Sequence, residues 1–215
     1  MTFSYDAVTD PALSRASLHA AAGEITALVG PSGSGKSKVA NLIARLWDID
    51  EGTVRVGGVD VRELGNAGVL STVTTVFQEV YLFDDTVRAN LTLGRPGATE
   101  DKIRSAVDAA QGLDVARALL KNSPVLILDE AVSAVDPGTE ERIQSALSRL
   151  AAGRTVIVIA HRISTIRDVP HIVVVDAGCV VGSGTHEELL DSCATYRDLA
   201  DERGQRGQSS VTGTG

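Results

Sequence analysis

No apolar run in this sequence approaches the roughly 18 residues that a bilayer-crossing helix needs, so no membrane span is expected. The opening residues, Met1-Thr2-Phe3-Ser4-Tyr5-Asp6, lack both a basic start and an apolar stretch, which argues against a secretory signal. Cysteine is scarce. Cys179 and Cys193 stand alone, without metal-ligand spacing, and read as reduced thiols of a cytosolic protein. Positive charge is in the minority: 20 basic residues are scattered among 28 acidic ones, for a net charge of −8. A nucleic-acid binder needs a basic face, and none is evident, so no nucleic-acid partner is expected. No internal repeat is found. What the chain does have is enough apolar content, 43% of 215 residues, to bury the core of one α/β domain with a small appended lobe.

One stretch carries specific chemistry. Residues Gly30, Pro31, Ser32, Gly33, Ser34, Gly35, Lys36 and Ser37 fit the phosphate-binding pattern G-x-x-x-x-G-K-[ST]. The apolar run Ile25 to Val29 leads in and predicts a buried strand. The amphipathic run Lys36 to Leu46 leads out and predicts a helix. In such a turn the backbone N–H groups point at phosphates and the helix dipole favours their charge. Lys36 then reaches the terminal phosphates, and the Ser37 hydroxyl is placed to ligate Mg²⁺.

The remaining pattern predicts an α/β fold. Phe3 to Tyr5 and Ala16 to Ala20 read as strands, and Thr53 to Val56 before Gly57-Gly58 as half of a hairpin. Thr72 to Phe77 is a β-branched run. Thr86 to Leu120 is helical in pattern, broken at Gly94-Arg95-Pro96-Gly97. Val125 to Leu128 and Thr155 to Ala160 are short and apolar without alternation, which suits buried parallel strands. Thr139 to Leu150 reads as a crossover helix, Ile172 to Val175 as a strand, and His186 to Leu190 and Tyr196 to Arg203 as short helices. From Gly204 the composition turns to Gly, Gln, Ser and Thr, and a disordered tail over 204–215 is expected.

Further candidate residues sit at predicted strand ends, the edge where parallel sheets bind ligands. Asp129 ends one strand and is placed to hold Mg²⁺; Glu130 follows it and is placed to polarise a water. His161 ends the next strand as a γ-phosphate contact. Gln78 ends an earlier one, within reach of Mg²⁺ and the water. Tyr5 offers an aromatic face on which a base can stack.

The order of phosphate loop, Gln78, acidic strand, Ser133-Ala134-Val135-Asp136 and His161 resembles the ATP-binding domain of ABC transporters. Val76 to Thr86, Ile159 to Ile166 and Gly182 to Leu189 are similar to the exporter branch of that family. The resemblance implies a P-loop NTPase core with a mainly parallel sheet, an N-terminal antiparallel β subdomain and a truncated helical lobe. It spans residues 1–203, with the lobe shortened near 100–115. ATP and Mg²⁺ are the implied ligands. Tyr5 stacks on adenine, the loop binds the triphosphate, Gln78 links Mg²⁺ to the membrane partner, Asp129 serves Mg²⁺, Glu130 serves the water, and His161 senses the γ-phosphate. Asp136 lies in a loop that crosses to the other subunit. The implied partners are a transmembrane permease and a second ATP-binding domain, at the inner face of the cell membrane.

The sequence departs from the family in several places. The signature Leu-Ser-Gly-Gly, due before Ala116-Arg117-Ala118-Leu119-Leu120, is absent, and the chain passes from Ala110 straight into Gln111-Gly112-Leu113. Lys38 replaces the usual Thr beside the phosphates, and Val132 and Val135 replace a more usual Thr and Leu. Thr2 to Tyr5 falls within the family's first strand, as in a remnant or a piece of a longer gene. The expected function is an ATP-hydrolysing subunit that powers an exporter. The rival is a nucleotide-binding module without hydrolysis, regulatory or degenerate. A GTPase is disfavoured because Asn-Lys-x-Asp is missing.

Overall fold

The computed structural model describes residues 1–5, 11–77, 81–110, 113–129, 151, 153–160 and 163–208. Its centre is a six-stranded sheet in the order β4-β5-β6-β1-β7-β8. The strands are β1 (Ile25–Val29), β4 (Val73–Val76), β5 (Val125–Asp129), β6 (Thr155–Ile159), β7 (His171–Asp176) and β8 (Cys179–Gly184). All neighbours run parallel except β8, which turns back antiparallel on β7. A separate hairpin pairs β2 (Arg55–Val56) with β3 (Val59–Asp60). The helices are α1 (Lys36–Ile43), α2 (Val61–Thr72), α3 (Val87–Thr92), α4 (Glu100–Ala109), α5 (Leu113–Lys121), α6 (His186–Ser192) and α7 (Ala194–Gln208). The α/β class, the parallel sheet and the separate antiparallel pair are as the sequence predicts.

Strand alternation sends neighbouring side chains to opposite faces, so an apolar strand feeds two cores. Ala27, Leu126, Leu128, Val156, Val158, Ile172 and Val174 pack on one face with Ile166, Leu189 and Tyr196. Leu28, Ile127, Ile157, Ile159, Val173 and Val175 pack on the other with Val39 and Leu42 of α1, Val61 and Val69 of α2, and Phe3 and Leu13. A third cluster, Leu91, Ile103, Ala106, Ala116 and Leu120, holds α3, α4 and α5 together as a lobe.

The structure corrects several expectations. Phe3 to Tyr5 and Ala16 to Ala20 are not strands. Thr2 and Phe3 make only isolated bridges, to Glu51 and Leu13, and Ala16–Ala20 has an alternating burial pattern but no ladder partner. Helix α1 stops at Ile43, short of Leu46, because Arg45 adopts a left-handed backbone (φ 52°). Two elements were not foreseen. One is α2, whose start is capped when Asp60 accepts from the Arg62 N–H (2.9 Å), despite a break at Gly65. The other is β8, whose small residues carry little strand signal. Helix α7 runs to Gln208, past the Gly204 at which composition places the start of a tail. The expected crossover helix over Thr139–Leu150 lies outside the described residues.

Candidate functional site

β1 delivers the chain to the carboxyl edge of the sheet, and the turn from Gly30 to Gly35 carries it into α1. The turn closes only with glycine at defined places. A Cβ on Gly30 would lie 1.9 Å from the Val175 carbonyl oxygen of β7. Gly35, at φ 110°, is the cap residue of α1, and a Cβ there would lie 2.8 Å from Leu13. Lys36 is 5% exposed. Its ammonium donates to the carbonyls of Gly30 (3.0 Å) and Pro31 (2.8 Å) and approaches the Ser34 hydroxyl at 3.4 Å. A buried ammonium needs such acceptors. They hold the charge inside the loop, at the N-terminus of α1, where the helix dipole adds to it.

Ser37, on the first turn of α1, donates to Asp129 Oδ1 at 3.3 Å. The two are 92 residues apart in the chain. They meet because β5 is the second strand over from β1 and ends at the same edge. A hydroxyl and a carboxylate are the hard oxygen donors that Mg²⁺ accepts, with its remaining sites left to water and phosphate. Among the described residues no group of three His, Cys, Asp or Glu side chains could hold a metal by itself. The Ser37–Asp129 pair fits an ion whose other ligands are water and phosphate oxygens. Strands β4, β5 and β6 end in step, Val76 opposite Leu128 and Asp129 opposite Ile159. The other candidates, Gln78, Glu130 and His161, lie outside the described residues.

Tyr5 is half exposed and belongs to an aromatic group that sequence reading did not anticipate. Its ring meets Phe3 edge-on (5.0 Å between centroids) and Trp47 edge-on (5.3 Å), while Lys38 Nζ stands 5.6 Å from its centroid. Such contacts orient the ring by quadrupole and cation–π attraction. Lys38 lies on the first turn of α1, so the ring is tied to the phosphate loop.

A second feature was missed. A groove of about 340 Å³ is lined by Ala44, Leu46, Val69, Leu70, Phe77 and Tyr81, with Lys121 and Arg117 among its walls. Leu46, Leu70, Phe77 and Tyr81 are all exposed, and Leu82 and Phe83 follow. Arg117 ties the loop to the helical lobe by donating to the Tyr81 carbonyl (2.8 Å) and to the Asn90 carbonyl (2.6 Å) and side chain (2.8 Å). Lys121 donates to the Val73 carbonyl at 3.0 Å, and burial lowers its pKa. The available signal was the apolar triplet Tyr81-Leu82-Phe83 in a stretch with no strand or helix to bury it.

Comparison with known proteins agrees with this geometry. The family model described as ABC transporter matches residues 13–114. The chain is 42% identical to a beta-(1→2)glucan export ATP-binding/permease protein of Rhodopseudomonas palustris, covering 93% of this chain and 38% of that protein. That alignment extends over 229 residues, more than the 215 of this chain. Identity is also 42% to the ATP-dependent lipid A-core flippase of Salmonella typhimurium (93% and 39% covered) and to a mycobactin import ATP-binding/permease protein of Mycolicibacterium smegmatis (91% and 26%). A solved bacterial Atm1-family ABC exporter with ATP bound superposes with a TM-score of 0.87 at 33% identity, covering 94% of this chain and 41% of that one. The chain thus spans about two fifths or less of the length of these relatives. By sequence and by fold, the chain belongs to the ABC transporter family, as an ATP-binding domain of the exporter type.

Proposed function

We propose that this chain binds ATP with Mg²⁺ and, closed against a second ATP-binding domain, hydrolyses it to drive a permease. The observation that carries the reading is the buried Lys36 inside the 30–37 loop together with the Ser37–Asp129 contact at 3.3 Å. The loop N–H groups and Lys36 bind and orient the triphosphate, and Tyr5 stacks on the base. Ser37 and Asp129, with Gln78 as a further candidate, would hold Mg²⁺, which when bound would supply positive charge to offset that developing on the phosphates. Glu130 takes a proton from the attacking water as its oxygen bonds to the γ-phosphorus. The bond from that phosphorus to the bridging oxygen breaks, and ADP and phosphate leave. His161 donates to the γ-phosphate.

The absent Leu-Ser-Gly-Gly run bears on the partner. An alignment longer than the chain itself means that the relative has residues without a counterpart here, which supports loss of a segment. The donors that close over the γ-phosphate then come from the second domain, making a heterodimer with one complete site. The exposed apolar groove of Leu46, Leu70, Phe77 and Tyr81, beside the end of β4, supports docking of a permease helix there. No described helix is long and apolar enough to cross a membrane, so that helix belongs to another segment or chain. One relative is named for import and others for export, so direction and cargo rest with the permease.

Calorimetric titration with ATP·Mg²⁺ tests the reading. Lys36→Ala removes the charge-assisted contact and is expected to abolish measurable binding. Equal affinity for the variant and the wild type would refute the assignment.

A further inference from the structure

Lys36, Ser37 and Lys38 open α1, and successive helical side chains are turned by about 100° from one another. They accordingly serve three directions. Lys36 folds back into the loop, Ser37 faces Asp129 of β5, and Lys38 goes to the Tyr5 ring. The Lys38 ammonium stands over that ring, 5.6 Å from its centroid. Among the described residues it has no carboxylate partner: the first turn of α1 holds no acidic residue, and no ion pair includes Lys38.

The ring and the cation differ in freedom. Tyr5 meets both Phe3 and Trp47 edge-on, at 5.0 and 5.3 Å between centroids, and those two rings also meet each other at 6.1 Å. Phe3 is buried and anchors the group. Lys38 is half-buried and carries its charge on a flexible four-carbon stem. The ring is thus the fixed platform and the ammonium the part that moves. Two forces set its place in the empty loop. The dipole of α1 repels it from the helix end, and the negative face of the ring attracts it. An anion in the loop reverses the balance, because a charge-assisted contact to phosphate outweighs an exposed cation–π contact.

We propose that Lys38 is a specificity-determining residue that covers the Tyr5 ring while the loop is empty and moves to the phosphates when a nucleotide arrives, so that the base gains its platform only together with its phosphates. The proposal deepens the nucleotide reading above and rests on it. Base and phosphates are joined in one molecule, so the base comes to Tyr5 from the side of the loop, where the ammonium stands. A nucleoside has to displace the ammonium with no anion to receive it. Inorganic polyphosphate draws the ammonium away but leaves the ring bare. Only a nucleotide uses both ends of the movement. A threonine at this position would be too short to touch the ring, so the coupling belongs to this lysine.

Lysine is rare in the chain, at positions 36, 38, 102 and 121, so lysine-selective carbon-13 labelling gives few NMR signals, and Lys38→Met assigns the one of interest. In the empty chain the Lys38 ε-methylene signal should lie upfield, under the Tyr5 ring current, and lose that shift in Tyr5→Leu. Tripolyphosphate and ATP should each abolish it. Affinities then read the coupling. Lys38→Met keeps the stem and removes the charge. It should weaken ATP and tripolyphosphate by about fivefold at low salt. It should tighten adenosine by about two- to fivefold, the worth of an exposed cation–π contact. Adenosine is followed by the indole signal of Trp47, the one tryptophan of the chain. A purely structural lysine would move all three affinities the same way. A Lys38 signal unaffected by Tyr5→Leu, a ring shift that persists in saturating ATP, or adenosine binding that Lys38→Met leaves unchanged or weakens would each overturn the proposal. Calorimetry with ATP on the wild type separates the two readings. Heat of ATP binding beside any of those results rejects the role of Lys38 alone, whereas no ATP binding rejects the nucleotide reading itself.

Discussion

Two lysines, Lys36 and Lys38, occupy the first turn of α1, and no acidic residue accompanies them. A cation at a helix N-terminus opposes the dipole, by typically 0.3–1 kcal/mol at low salt. The arrangement is therefore unfavourable without an anion and favourable with one. Replacing Lys38 by Thr should raise the thermal stability of the nucleotide-free chain slightly and weaken ATP binding by about fivefold at low salt. The loss should shrink at high salt, where screening shortens the reach of the charge. Calorimetry at two ionic strengths checks this, and an affinity loss that is independent of salt would contradict it. A second residue stands out in the core. Thr26 is fully buried in β1 and, among the described residues, its hydroxyl has no hydrogen-bond partner. Val keeps the shape without the desolvated oxygen, so Thr26→Val should stabilise by about 1 kcal/mol. A lower melting temperature for this variant would show that the hydroxyl has a bonded role.

At the scale of elements, a partly buried hydrogen bond helps to join α6 to α7. His186, the first residue of α6, meets the Tyr196 hydroxyl of α7 at 2.8 Å, and Tyr196 is fully buried. Thr185 and Glu188 form a reciprocal capping box at the start of α6, which orients His186. Burial is the main reason that the Tyr196 pKa is raised to about 12, with the Glu187 charge adding to it. The folded state thus favours the neutral phenol. Its stabilisation is complete below the ordinary tyrosine range near 10 and is lost as pH rises through about 12. Tyr196→Phe should cost about 1 kcal/mol at pH 7, and the wild type should lose that advantage in alkali. Urea denaturation at neutral pH and near pH 11 compares the two. An undiminished gap at the higher pH would mean that the hydroxyl is not what titrates.

For the whole molecule, completeness of the ATP site is the issue. Each preorganised donor lost from a developing charge costs about 10²–10³ in rate. Without donors from a second domain, the isolated chain should bind ATP yet turn over far below the 1–10³ s⁻¹ of ordinary enzymes. Adding a partner that carries Leu-Ser-Gly-Gly should restore hydrolysis. In that complex Glu130→Gln should reduce phosphate release by about 10²–10⁴ while ATP stays bound, the loss expected of general-base assistance. Ordinary turnover by the chain alone would remove the need for a partner. A fully active Glu130→Gln complex would move the base elsewhere.

Read by itself, the chain declares its local chemistry. Gly30 to Ser37 could be identified because glycine, lysine and serine at that spacing have few other uses, and because Ile25–Val29 must be buried. The runs at Val125 and Thr155 declared parallel strands for the same reason: four or five consecutive apolar residues need cover on both faces. Turn chemistry and periodicity are properties of neighbours in sequence, so they survive without the fold. Only the tertiary structure decided what meets what. Ser37 reaches Asp129 because the strand order sets β5 two places from β1, and no pattern within either segment encodes that order. Tyr5 meets Trp47 because α1 stops at Ile43 and the chain turns at Arg45, against its own amphipathic pattern. Ala16–Ala20 has the alternation of a strand but no ladder, since a strand is completed by its neighbours and not by its own side chains.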